Sequence, residues 1–224
     1  MHGRALSSAS PFIEPDTPLM LKFFYSPGAC SLAAHIVLEE SGEPYEAVRI
    51  DISQGDQHAP EYRAIHRLGR VPVVVLDDGE PLSENTAILP FLGKRFGLWP
   101  RDDRAEVRAL SLIGFLATTV HPAYSHIGRP IRYASDTACH ANIQQVARGS
   151  AMEYLREVEA LLGGREWFGG EYSVLDAYAF FFYNWEVRKS GLPVGELKAY
   201  RAFYDRMLAR PGVRRVLAEE GLAA

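Results

Sequence analysis

Cysteine is scarce in this chain: Cys30 and Cys139 are the only two among 224 residues, in contexts that share nothing. Two thiols make no disulfide framework, and no C-x-x-C or Cys/His spacing for a metal is present. A reducing compartment, the cytoplasm, is the expectation. Long apolar runs are also missing, none approaching the roughly 18 residues that a membrane span needs. There is no excess of positive charge. Lys and Arg number 24 against 28 Asp and Glu, a formal net charge of −4, which argues against nucleic acid as the main partner. Internal repeats and low-complexity tracts are absent. Residues 1–19 lack the apolar stretch of a secretory signal and read as a flexible extension, with the ordered pattern starting at Met20.

What is present is ordinary globular material, 47% hydrophobic and 23% charged, enough for one large or two modest domains. Residues 20–25 read as a buried strand. Leu32, Ala33, Ile36, Val37 and Glu40 have helical spacing over 30–40, and Gly42 supplies the stop. A second strand over 45–50, a short helix over 60–66 and a third strand over 73–76 follow. Asp78-Gly79 is a hairpin turn into a fourth strand, and 85–96 is helical again up to Gly97. The order β-α-β-α-β-β-α predicts a small sheet with one parallel crossover and one hairpin. Residues 98–103, with Trp99-Pro100, read as a linker. Beyond it only helices are predicted, at about 104–121, 138–163, 174–189, 196–209 and 213–219. The chain therefore divides into 20–97 and 104–224. Ser173-Val174-Leu175-Asp176 is a capping-box start, and the apolar run after it predicts a helix buried on most sides.

Cys30 follows Phe23-Phe24-Tyr25-Ser26-Pro27-Gly28-Ala29, a strand turning into a helix. It stands at or beside a helix N-terminus, where unpaired N–H groups and the dipole favour an anion such as a thiolate. Moving a thiol from about pKa 8.5 to near 7 takes roughly 2 kcal/mol, whereas a helix end typically supplies about 0.3–1 kcal/mol. A working thiolate needs a second donor. The plainer reading of Cys30 is a small apolar residue at a strand–helix junction.

Tyr25-Ser26-Pro27-Gly28-Ala29-Cys30-Ser31-Leu32 closely resembles the opening of the bacterial beta class of the cytosolic glutathione transferases. Gly69-Arg70-Val71-Pro72-Val73 resembles that family's Val-Pro before the third strand. Ser83-Glu84-Asn85-Thr86-Ala87-Ile88 resembles its acidic helix start, and the run from Phe115 to His121 its histidine-bearing helix. Trp167-Phe168-Gly169-Gly170 with Ser173 to Tyr178 resembles its folding cap. The resemblance covers Met20 to about Leu222. It implies an α/β thioredoxin-like N-terminal domain, an all-α C-terminal domain and a homodimer.

It also implies an activity: joining the glutathione thiolate, as co-substrate and without a metal, to a small apolar electrophile. Cys30 and His121 are the implied catalytic pair, His121 being the second donor. Glutathione is expected on Tyr25, Val71, Pro72, Glu84 and Asn85. A cis Val71–Pro72 bond would turn the Val71 backbone toward the cysteinyl unit, and the 84–85 helix start would take the γ-glutamyl carboxylate while Glu84 takes its ammonium. Ordinary readings stand beside these: capping for Glu84 and Asn85, a C-terminal charge complement for His121, core for Tyr25, and a turn for Ser26.

Two alternatives to conjugation remain. One is thiol–disulfide or peroxide reduction through Cys30 itself; the other is a non-catalytic binding protein. Three departures from the family pattern, Gly55, Gly114 and Pro122, remove two cations and an amide that would hold the tripeptide, for which Arg129 or Arg132 are the candidate replacements; Gly114 also predicts a wider second-substrate pocket. Tyr124, Phe115, Tyr178, Phe181 and Trp185 are candidates for lining that pocket, with core the favoured reading of Phe181 and Trp185. Arg206, Arg210, Arg214 and Arg215 read as a solvated helix face complemented by acids.

Overall fold

Phe23 has no exposed surface, and Leu21, Phe24 and Tyr25 are nearly as buried, as expected of a strand covered on both faces. This strand, β1 (Leu21–Tyr25), lies inside a four-stranded sheet of order β2-β1-β3-β4. β2 (Tyr45–Arg49) runs parallel to it, with Leu21 opposite Tyr45. β3 (Val73–Val75) pairs antiparallel on the other side, Phe24 facing Val73, and β4 (Pro81–Ser83) completes a hairpin through Gly79 at φ 86°. Pro81 sits on the edge strand, where its missing donor is tolerated. The structure, a computed structural model, describes residues 20–222; the extension expected over 1–19 lies outside the described residues.

The crossover between β1 and β2 is α1 (Leu32–Ser41), ended by Gly42 in the left-handed conformation. Every residue from Leu32 to Leu38 is buried, because α1 packs against α3 (Asn85–Arg95) and also against two helices of the second half. On the opposite face of the sheet, Tyr62 of α2 (Pro60–Ile65) joins Phe24, Ile50 and Val73 in a smaller apolar cluster.

After residue 102 the described chain is helical: α4 (Asp103–Phe115), α5 (His121–Gly128), α6 (His140–Leu162), α7 (Val174–Trp185), α8 (Lys198–Ala209) and α9 (Pro211–Glu219). The thioredoxin-like sheet unit followed by helices is the architecture expected from sequence. Along α7 every residue from Val174 to Asn184 is buried. Its start carries the predicted capping box: Ser173 Oγ accepts from the Leu175 N–H at 3.3 Å, and the Asp176 carboxylate accepts from the Ser173 and Phe168 N–H groups at 2.8 and 2.9 Å.

Two sequence expectations are corrected. The helix expected to end at His121 instead passes through one π turn, Leu116–Val120, and continues as α5. Pro122 therefore stands inside a continuing helix, just after the π turn, and does not terminate it. The arginine-rich tail is more than a solvated face. Arg210 pairs with the largely buried Glu40 of α1 and stacks 3.5 Å above the Tyr172 ring, while Arg215 pairs with Glu39.

Candidate functional site

Residues 26–31 form the turn between β1 and α1. Ser31 Oγ closes it by accepting the Ser26 N–H and donating to the Ser26 carbonyl, both at 3.2 Å. Gly28 adopts φ 67°, a conformation that glycine takes without steric cost. Its N–H donates to Glu220 Oε2 at 2.8 Å, and the other oxygen of that buried carboxylate pairs with Nδ1 of the fully buried His35 of α1 at 2.8 Å. The turn is thus held from the end of α9.

Cys30 lies one residue outside the Ser31 cap. Its thiol donates to the Val71 carbonyl at 3.6 Å and its own carbonyl accepts from Asn85 Nδ2 at 3.0 Å. Burial, with a smaller contribution from the negative charge of Glu84, pushes the thiol up to about 12 against the opposing pull of Arg129 and Arg70. The helix start does not produce the low-pKa thiolate that position alone suggests. Desolvation outweighs the dipole, and at neutral pH Cys30 is a thiol.

The Val71–Pro72 peptide bond is cis. Tyr62 fixes the approach to it by donating to the Arg70 carbonyl at 2.6 Å. Glu84, which opens α3, has φ 69° and ψ 126°, a conformation costing about 1–3 kcal/mol for a side-chain-bearing residue. Such strain persists only where surrounding structure enforces it, and it marks a site. Asn85 is buried; its Nδ2 serves Cys30 while its Oδ1 has no partner. Tyr178 of α7, on the helical half, lines the same cleft as Asn85.

His121, at the start of α5, meets the rings of Phe181 and Phe182 edge-on at 6.1 Å and Trp185 at 6.5 Å. Burial, then the charges of Arg129, Arg132 and Arg70, lower it to about 4. The imidazole is neutral at physiological pH, so it does not offer the positive charge that would draw a proton from Cys30.

Cys30, Val71, Pro72, Glu84, Asn85 and His121, scattered over some ninety positions of sequence, all line one cleft of about 1140 Å³ between the two halves of the molecule. Tyr25 does not. It is 5% exposed, its ring packed against His35 and Phe23 at 4.7 and 6.0 Å. Its ring belongs to the core because the outermost β1 side chain packs against His35 of α1. Ser26 remains on the cleft wall.

Of the aromatic candidates, Tyr124, Tyr178 and Trp185 line the cleft whereas Phe115 and Phe181 do not. Trp185, expected in the core, is thus a wall residue. Gly114 and Gly55 are not part of the wall, and a Cβ on either would meet nothing within 4 Å. Sequence reasoning missed the cationic lining: Arg49, Arg70, Arg148 and Lys189 accompany Arg129 and Arg132, against only Asp51 and Glu84. Spacing gave no signal for this set, since its members sit on five separate elements or loops. Among the described residues no group of three or more His, Cys, Asp or Glu side chains is arranged to hold a metal, and no helix is long and apolar enough to cross a membrane.

Comparison with known proteins bears on the same site. Residues 28–95 match the glutathione S-transferase N-terminal domain family. The chain is 32% identical to glutathione S-transferase GstA of Escherichia coli O157:H7 over 208 residues, 90% of this chain and all of that one. A glutathione transferase homologue from Sulfitobacter, solved with glutathione bound, superposes with a TM-score of 0.84 at 30% identity, covering 91% of this chain and 99% of its own. A beta-class glutathione S-transferase from Sphingomonas chungbukensis superposes with a TM-score of 0.78 at 31% identity, covering 90% and 100%.

Proposed function

Because this chain belongs to the glutathione S-transferase family, we propose that it binds glutathione in the interdomain cleft and transfers its sulfur to a small apolar electrophile. The observation that carries this reading is the convergence of Cys30, Val71, Pro72, Glu84, Asn85 and His121 on one wall system. Glutathione offers two carboxylates, an ammonium and an extended backbone. The backbone of its cysteinyl unit pairs with Val71 as an added strand would. The γ-glutamyl carboxylate takes the N–H groups that open α3, and the exposed Glu84 takes the ammonium. The unpaired Asn85 Oδ1 supplies an acceptor in the same place. The site functions in a homodimer, as the family resemblance implies.

The sulfur then lies beside Cys30 and His121. Once the cysteinyl N–H takes the Val71 carbonyl, the single S–H of Cys30 turns from that carbonyl to the tripeptide sulfur, where a donor favours ionisation. His121, neutral, holds the sulfur by its N–H, and the thiol proton passes to solvent. The second substrate enters against Tyr124 and Trp185 of the helical half, and holding both reactants in one cleft supplies the proximity term. The protonated Cys30 supports conjugation over exchange. At a pKa of about 12, only about one thiol in 10⁵ is ionised at pH 7, a poor starting point for attack on a disulfide.

Calorimetry with glutathione, together with turnover of 1-chloro-2,4-dinitrobenzene by the full chain, tests the reading. Binding at or below millimolar concentration, and conjugation retained within about tenfold by Cys30→Ala, are expected. No heat of binding at millimolar glutathione would overturn it. Loss of conjugation beyond about 10³-fold in Cys30→Ala would move the chemistry to Cys30.

A further inference from the structure

The cleft carries far more positive charge than an apolar electrophile needs. Arg129 and Arg132, from the segment after α5, line the cleft together with Tyr133 and Trp185, while Arg70 stands beside Val71 on the sheet wall. Among the described residues no carboxylate lies within ion-pair distance of these three guanidinium groups. They nevertheless stand close enough to repel one another: the charges of Arg129 and Arg70 hold Arg132 below the usual arginine range, after a larger contribution from burial. Unpaired like charges around one cavity are unfavourable unless something negative enters it.

The loop bearing Arg129 and Arg132 is also built rather than loose. The Arg129 and Arg132 N–H groups donate to the Ser125 and Arg129 carbonyls at 2.8 and 3.0 Å. The His126 and Tyr133 rings stack at 3.5 Å, and Gln144 of α6 donates to the Ile127 carbonyl at 2.8 Å. The two guanidinium groups therefore start from a fixed backbone, which lowers the ordering cost of gripping an anion.

We propose that the second substrate is an anion, a small flat electrophile bearing a carboxylate that Arg129 and Arg132 grip while its apolar body lies against Trp185. The assignment rests on the conjugation reading above and refines it from an apolar acceptor to an amphiphilic one. Arg70, on the sheet side, is left to the tripeptide. A bidentate guanidinium–carboxylate contact fixes orientation as well as adding affinity, so it presents the reacting carbon to the sulfur.

The test compares two chloroarenes with the full-length protein at saturating glutathione: neutral 1-chloro-2,4-dinitrobenzene and anionic 4-chloro-3,5-dinitrobenzoate. In both, a carbon–sulfur bond forms, the carbon–chlorine bond breaks with chloride taking the electron pair, and the thiol proton goes to buffer. With each rate divided by its uncatalysed rate, kcat/KM is expected to favour the benzoate by about tenfold or more. Arg129→Gln/Arg132→Gln should abolish that preference by raising KM for the benzoate, with KM for glutathione and for the neutral arene unchanged within about twofold. Arg129→Lys/Arg132→Lys, which keeps the charge, should retain part of the preference and controls for misfolding. No preference in the wild type, or one that survives the double Gln change, overturns the proposal. A rise in KM for glutathione instead would assign the two arginines to the tripeptide and overturn it equally.

Unreactive 3,5-dinitrobenzoate and 1,3-dinitrobenzene separate this from the conjugation reading. Calorimetric preference for the benzoate, lost in the Gln variant, upholds the anion grip even if neither chloroarene turns over. Equal binding of the two sinks it even if both are conjugated.

Discussion

At the scale of single residues, burial sets the protonation states of Cys30 and His121, the two residues proposed to stand at the glutathione sulfur. Cys30 is a thiol at every pH of ordinary use and His121 a neutral imidazole. A conjugation rate that depends on the glutathione sulfur should therefore rise with pH and level off where that sulfur is ionised, with no inflection from Cys30 below about pH 10. Disulfide reduction through Cys30 should instead climb about tenfold per pH unit through pH 9; a pH–rate profile with a chromogenic disulfide checks this. For His121 the folded value lies below the ordinary 6.5, so the unfolded chain binds the proton more readily. Its stabilising contribution is complete above about pH 6.5 and is lost as pH falls toward 4. His121→Gln should flatten that part of a pH–stability curve measured by urea unfolding. Glu84 shows strain on the same scale: Glu84→Gly relieves the positive φ but removes the carboxylate, so we expect stability held within about 1 kcal/mol and a glutathione KM raised at least about tenfold, read by steady-state kinetics.

At the scale of elements, α7 depends on its first turn. Asp176→Ala leaves the buried Phe168 and Ser173 N–H groups without acceptors, and a cost of about 2–4 kcal/mol is expected in urea unfolding. Burial raises the Asp176 carboxyl to about 6. Its contribution is therefore full below about pH 4 and is lost as pH rises through 6, a slope the Ala variant should lack. The element pattern of the sheet unit was legible because β1, β2 and β3 carry β-branched or aromatic residues, β4 follows the Asp78-Gly79 turn, and the helices have marked ends such as Gly42. The break between α4 and α5 was not. A π turn changes the hydrogen-bond register by one residue without changing composition, so Leu116–Val120 reads as plain helix, and Pro122 reads as a stop where the helix in fact runs on. The short turns Pro130–Arg132 and Thr137–Cys139 have too few residues to show any period, and they set where the cleft arginines stand.

At the scale of the whole molecule, a chain of formal charge −4 concentrates cations in one concavity. The overall count concealed the local sign, because the contributing residues come together only when the two halves pack. Of the residues that the resemblance to a known family names, Cys30, Val71, Pro72, Glu84, Asn85 and His121 line the cleft, while Tyr25, whose position at a strand end says nothing about which face its ring takes, packs in the core. If the cleft field draws glutathione in, the glutathione KM should rise severalfold between about 0.05 and 0.5 M salt while kcat stays nearly constant, as initial rates across that range would report.

The contact between Gly28 and Glu220 spans 192 positions of sequence. During synthesis the sheet unit leaves the ribosome with that amide unclaimed, and it stays so until almost two hundred further residues have been added. Folding order and the shape of the cleft are tied together by this: the thiol-bearing turn is made early and is among the last parts to be secured, so a half-made chain carries an unfinished cleft.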